Sequence, residues 1–443
     1  MKKAYMKTAR SITSRFFAVF AILLLLVGGS VSLKADETLS DEYRLKEVVV
    51  LSRHNIRAPL STKGSALDTA TPYTWYAWSS EASELSLRGG MLETSMGQYF
   101  RKWLAEEGLI PENYRPQGNE VRFYANAKQR TIATAQYFSS GFLPVANIKI
   151  TTNQEYDKMD PVFTPQLTFV SDRYVEDAKK QMYELIPDLS KEYELLSDVI
   201  GLKDSEAYKN GSINDFNNDD IEFVMETNAE PGMKGSLKTA CSLSDALVLQ
   251  YYEESDGVAA AFGHDLDSEQ WKAISNIKDT YTDVLFTAPL VAVNVAHPLL
   301  QEIDRELENN ERLFSFLCGH DSNIASVLAA LDVKDYVLPE SIERNTPIGS
   351  KLVFEKWEKN SEEYIRVRLI YDSSDQLRNI SIHDLNHPPM SYVFEFKGLT
   401  ANEDSMYRFD EFEDRLHEKI RAYDELIREY GAKASPIPKT GIE

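Results

Sequence analysis

The sequence predicts an α/β fold: a mostly parallel sheet flanked by helices, with an inserted α-helical domain. Three observations predict it. Between residues 40 and 169, short β-branched or alternating runs take turns with segments of helical period. From 170 to 289, long helical stretches dominate and strand signals are sparse. Strand signals resume from 290 to 434, so the α/β domain is read as 40–169 plus 290–434 with the helical domain nested inside it.

The elements follow in order. Residues 1–32 carry Lys2, Lys3, Lys7, Arg10 and Arg15 without an acid, then the apolar run Phe16 to Val27 and the small residues Gly28 to Ser32. That is the layout of a signal peptide. The apolar run is short of the ~20 residues that span a bilayer, although an uncleaved anchor stays a rival. Leu45 to Ser52 (LKEVVVLS) reads as a buried strand. Leu92, Met96, Tyr99, Phe100, Trp103 and Leu104 recur at helical spacing, with Gly108 as the stop. Glu120 to Ala125 alternates like a strand, Ala127 to Phe138 reads as a helix and Ile148 to Thr152 as a strand. In the insert, helices are expected at Tyr174 to Ile186, Leu237 to Tyr252 and Glu269 to Leu285, broken by the loop Asn210 to Asp220. Strands are expected again at Leu313 to Cys318, Lys351 to Trp357, Ile365 to Tyr371 and Tyr392 to Phe396. A charged helix from Asp410 to Tyr430 and a loose Pro/Ser/Lys-rich tail at 435–443 close the chain.

Composition excludes several classes. The 443 residues include 48 Lys+Arg and 70 Asp+Glu, a net charge of −22, which disfavours nucleic acid and anionic membranes as partners. Aromatic residues make up 11%, too many for a disordered chain, and two cysteines cannot staple a disulfide scaffold. With the leader removed, no membrane partner is expected, and the mature chain is expected to be exported, to the periplasm or beyond.

Chemistry concentrates where strands end. Arg53-His54-Asn55-Ile56-Arg57-Ala58-Pro59 follows the first strand directly. Ligands of parallel sheets bind beyond the carboxyl ends of the strands, and guanidinium forks match phosphate oxygens. An unprotonated imidazole between two arginines is a candidate nucleophile. The plainer alternative is a turn with a surface histidine. A second strand ends in Gly319-His320-Asp321-Ser322-Asn323 before a helical run. His320 can donate to a phosphate oxygen, and Asp321 can protonate a leaving group. The alternative makes Asp321 a helix N-cap. Arg130, in Gln129-Arg130-Thr131, sits at a third strand-to-helix turn and is otherwise an ordinary solvated arginine. The pair His383-Asp384 lacks a strand before it and a helix after it, and reads as loop.

These segments resemble the histidine acid phosphatases, whose R-H-G-x-R-x-P motif appears with Asn55 at the Gly position and whose distal H-D motif appears as His320-Asp321. The Asn-bearing motif, Tyr124-Ala125-Asn126, Met159-Asp160-Pro161, Thr346-Pro347-Ile348-Gly349 and Leu377-Arg378-Asn379 are similar to the glucose-1-phosphatase branch of that family. The resemblance implies a phosphohistidine on His54, phosphate held by Arg53, Arg57, Arg130 and His320, and Asp321 as the acid. It implies no metal and no cofactor, and the chain contains neither an H-E-x-x-H nor a P-loop pattern. It also implies that Glu230, in Ala229-Glu230-Pro231-Gly232, gates the substrate, where the plainer alternative is a solvated loop acid. The expected substrate is a small sugar phosphate such as glucose 1-phosphate. Inositol phosphates (a phytase or broad acid phosphatase), a non-catalytic phosphosugar-binding role and a phosphomutase are the rivals. Exported members of the family usually carry several disulfides, whereas Cys241 and Cys318 are expected here as free thiols, with a bond between the two as the rival.

Overall fold

The computed structural model describes residues 42–60 and 65–431. The signal-peptide reading of residues 1–32 and the loose tail at 435–443 lie outside the described residues.

One sheet organises the chain. Its strands are β1 (Arg44–Arg53), β2 (Val121–Ala125), β3 (Ile150–Thr151), β6 (Phe314–Gly319), β7 (Lys351–Lys359), β8 (Glu362–Tyr371), β9 (Met390–Val393) and β10 (Tyr407–Arg408), while β4 (Glu222–Val224) and β5 (Gly232–Lys234) form a separate hairpin. The order is β10-β8-β7-β1-β6-β2-β3, with β9 also on β8. β1, β6, β2 and β3 are mutually parallel. β7 to β10 pair antiparallel, so the sheet is mixed, and the site grows from its parallel half. The antiparallel turn between β7 and β8 is made by Asn360 and Ser361, both at positive φ, as a two-residue hairpin requires.

The helices are α1 (Leu87–Glu106), α2 (Gln129–Phe142), α3 (Asp172–Glu184), α4 (Ser190–Val199), α5 (Ser236–Glu253), α6 (Ser268–Phe286), α7 (Pro289–Leu307), α8 (Asp321–Ala330) and α9 (Phe409–Gly431), besides several one- or two-turn pieces. β1 is covered on both faces, which is why its centre is an apolar run rather than an alternation. Val49, Leu51 and Leu317 face an apolar cluster with Ala296, Leu299 and Ile303 of α7 and Ile324 and Leu328 of α8. Phe314, Phe316 and Phe123 point the other way, onto Phe138 and Phe142 of α2, with the Phe138 and Phe316 rings 4.4 Å apart.

A second apolar cluster joins α3 to α6 and reaches Ile56 just past β1, Leu92 of α1 and Ile348 before β7. The helical segment is thus packed against the ends of the strands that carry the conspicuous motifs. Sequence reading did not anticipate α7, which carries Pro298 inside it.

Candidate active site

Strand register puts the motifs side by side. Arg53 pairs with Gly319 across β1 and β6, and Ala125 pairs with Cys318 across β2 and β6. The next residues, His54, Asn126 and His320, therefore leave the sheet at one level. His54 N donates to Gly319 O at 3.1 Å, and Asn126 N to Cys318 O at 2.9 Å. Two helices start here, α2 with Arg130 in its first turn and α8 with Asp321 as its first residue. Their N-terminal dipoles favour an anion.

The two imidazoles have defined tautomers. His54 is buried, and its Nδ1 lies 2.9 Å from the carbonyl of Asn55. A carbonyl only accepts, so Nδ1 carries the proton and Nε2 keeps a free lone pair. Burial, then the charges of Arg130 and Arg57, hold His54 well below the usual histidine range, so it stays neutral. Asn126 Oδ1 accepts from Asp160 N at 3.0 Å, which turns its Nδ2 toward His320 Nε2 at 2.8 Å. His320 Nε2 therefore accepts, and its proton sits on Nδ1, 3.5 Å from Arg130 Nη2. Two donors that cannot bond each other converge on one place, a geometry suited to an anionic oxygen.

Three guanidiniums complete a cationic wall. Arg53 is almost wholly buried and is tied through Nη1 to Glu343 Oε1 at 2.6 Å and to Thr346 O at 2.5 Å. Arg57 Nη2 reaches Asp245 at 3.0 Å. Burial and the repulsion of Arg57 push Arg130 down to about 10. The Nε atoms of Arg53, Arg57 and Arg130 are all buried without a hydrogen-bond acceptor among the described residues. All three guanidiniums bear on His54 electrostatically, so an anion placed beside it meets a concentrated positive charge.

Asp321 is not the N-cap, a position His320 occupies. Its Oδ1 accepts from Ser322 N at 2.9 Å, and Oδ2 lies 3.3 Å from Arg53 Nη2. Burial works to raise this carboxyl, but Arg53, Lys278 and His320 outweigh it and hold it well below the usual carboxylate range.

A cavity of about 420 Å³ opens over these groups. His54, Arg57, Arg130, His320 and Asp321 line its floor, and the helical segment supplies Glu230, Asp245, Lys278 and Tyr281. Glu230 stands in the wall at the solvent edge, and burial followed by the charge of Asp321 raises its carboxyl. Cys241 lines the same cavity, Cys318 is buried in β6, and both are free thiols.

Other groups at the site escaped sequence reading. Asn55 Nδ2 donates to Glu93 Oε1 at 2.8 Å, and Lys351 Nζ meets the same oxygen at 2.8 Å, with both ions fully buried. Gly349 lies against this knot: at φ +71°, a Cβ there would fall 2.3 Å from Asn55 Nδ2. Glu343 and Lys278 also went unnoticed. The His383-Asp384 pair is indeed loop, and His383 bonds Asp372 instead, while Asp384 bonds His387.

Comparison with known proteins agrees with this geometry. Residues 44–372 match the model of the histidine phosphatase superfamily (branch 2). The chain is 37% identical to a glucose-1-phosphatase of Salmonella typhimurium over 407 residues, covering 90% of this chain and 98% of that one. It is 37% identical to a glucose-1-phosphatase of Providencia rettgeri over 378 residues, covering 83% of this chain and 90% of that one. The apo form of Hafnia alvei phytase superposes with a TM-score of 0.79 at 24% identity, covering 87% of this chain and 99% of that one, a likeness of fold. The chain belongs to the histidine phosphatase superfamily, branch 2.

Proposed function

We propose that this histidine phosphatase is an exported acid phosphatase that hydrolyses sugar phosphate monoesters of the glucose 1-phosphate type through a phosphohistidine on His54. The observation that carries the reading is the convergence of Arg57, Arg130, His320 and Asp321 on the cavity that His54 lines, with the Nε2 of His54 left free. The glucose-1-phosphatase relatives at 37% identity support the sugar monoester over other phosphates.

The steps follow from the proton positions. Phosphate oxygens sit on the three guanidiniums and on His320 Nδ1–H, which stabilise the charge that builds on them in the transition state. The His54 Nε2 lone pair attacks phosphorus while the bond to the sugar oxygen breaks. Asp321 gives that oxygen its proton. In the free protein Asp321 is ionised, so it must first take up a proton. A phosphate monoester has a second pKa of about 6, so at acidic pH it enters carrying a proton, which passes to Asp321 as the ester's own charge offsets Arg53. Water then attacks the phosphohistidine, Asp321 takes a proton from it, and inorganic phosphate leaves.

Specificity comes from the wall. We read residues 170–289 as an inserted helical domain that supplies the leaving-group side of the cavity, with Glu230 at its edge. A carboxylate there disfavours substrates with further phosphates. Lys238 and Lys278 in the same wall favour the second reading, a phytase or broad acid phosphatase. A kcat/KM comparison of glucose 1-phosphate with inositol hexakisphosphate decides: preference for the first is expected, and a reversed preference selects the second. No phosphate release from p-nitrophenyl phosphate between about pH 3 and about pH 7 would overturn both.

A further inference from the structure

Two buried charges next to the site belong to none of the phosphate motifs. Lys278 lies on α6 and Glu343 in the loop before β7, with 6% and 0% of their side chains exposed. Lys278 Nζ meets Glu343 Oε1 at 2.8 Å and Asp279 Oδ1 at 3.1 Å. The same Glu343 Oε1 receives Arg53 Nη1 at 2.6 Å, and Glu343 Oε2 accepts from Ile348 N at 2.8 Å. The other arm of Arg53 reaches Asp321 Oδ2 at 3.3 Å. Charge thus alternates along Lys278, Glu343, Arg53 and Asp321, and Lys278 also lines the cavity that Asp321 lines. Ions buried this deeply are poor investments for stability alone, since apolar side chains of similar volume often do as well.

We propose that Lys278 and Glu343 are a positioning pair for the proton-transfer step: Glu343 fixes Arg53 against Asp321, and Lys278 balances Glu343 while setting the charge on the leaving-group side of the cavity. The proposal rests on Asp321 being the proton donor. Its consequence is a two-way control of Asp321. Loss of the Lys278 charge lets Asp321 keep its proton to higher pH. Loss of the Glu343 charge leaves Lys278 with Asp279 and Arg53 with Asp321 as the remaining carboxylate, and Asp321 gives up its proton sooner. Asp321 is also faced by Arg57 after β1, Arg130 on α2, His320 before α8, Glu230 on its loop and Asp245 on α5, none of which changes in these variants.

The test is the pH profile of single-turnover glucose release from glucose 1-phosphate by the full chain, with p-nitrophenyl phosphate alongside. The alkaline limb should move up by about one pH unit in Lys278→Met and down by a similar amount in Glu343→Gln, the size expected for one neighbouring charge. The double variant should return close to the parent, and the p-nitrophenyl limb should move less, since that leaving group needs no proton. Limbs that stay put or move in the same direction in folded single variants overturn the proposal. Should Glu343→Gln fail to fold, Lys278→Met alone decides, and an unmoved limb overturns it. If Asp321→Asn slows both substrates equally, the acid assignment itself falls and takes the proposal with it. That outcome is distinct from unmoved limbs with Asp321 confirmed.

Discussion

His54 and His320 meet edge to face, with ring centroids 5.5 Å apart and planes inclined by 70°. Each sits just past the carboxyl end of its strand, and the strands are parallel neighbours in register. One ring keeps its Nε2 lone pair and the other its Nδ1 proton. A free lone pair and an N–H donor therefore line one cavity.

The nucleophile comes first. His54→Ala should lower turnover by at least about 10⁴-fold, because the remaining cations bind phosphate but cannot accept it. Brief incubation with labelled substrate and quenching in alkaline detergent should leave an acid-labile phosphoryl group on the parent protein and none on the variant. Label retained by His54→Ala would move the nucleophile elsewhere.

Asp321→Asn separates binding from protonation. The loss on glucose 1-phosphate should be about 10²–10⁴-fold, the usual worth of a general acid. On p-nitrophenyl phosphate it should stay below about tenfold, because the departing phenolate is stable without a proton. Rates measured on both esters check this.

How far sequence reaches is clear from which residues it found. Arg53, His54, Arg57, His320 and Asp321 lie in two contiguous stretches directly after apolar strands, so local pattern places them. Glu93 and Lys351 are 258 residues apart, and Arg53 and Glu343 are 290 apart. Nothing local marks one glutamate as buried among so many acids; only tertiary packing selects it. The α/β alternation was legible, whereas the direction of β7 to β10 was not, since apolar alternation is the same in parallel and antiparallel strands. α7 was hidden by Pro298, whose ring normally ends a helix.

The knot under the nucleophile should matter for folding. Lys351 and Glu93 are both fully buried, and Asn55 leans on the same carboxylate. Lys351→Met leaves Glu93 uncompensated, and burial already works to raise that carboxyl. A loss of about 3–5 kcal/mol is expected, read as a drop in the urea midpoint without a change in slope. The paired change Lys351→Met with Glu93→Gln should recover a large part of it. A single variant as stable as the parent would mean that Glu93 is already neutral in the folded protein.

Acid stability carries the signature of the neutral histidines. Burial and the surrounding arginines hold His54 well below its ordinary value near 6.5, and burial followed by Arg130 does the same to His320. The unfolded chain therefore binds protons at these positions that the folded chain refuses. Their contribution to stability falls as pH drops below about 6.5, by up to about 1.4 kcal/mol per pH unit for each histidine. The depressed carboxyl of Glu343, held down to about 2 by Lys278 and Arg53 against its burial, adds a loss of the same sign, which starts near pH 4 and runs down toward pH 2. Between pH 7 and pH 5 Glu343 stays ionised in both states, while the raised carboxyls of Glu47, at about 8, and Asp283, at about 6, work with the opposite sign, so the histidine share is read by difference against a variant. His54→Asn removes one of the histidines, and its denaturation midpoint should decline less steeply from pH 7 to pH 5 than that of the parent. Parallel declines would mean that His54 takes up its proton in the folded state, and the neutral nucleophile would have to be abandoned.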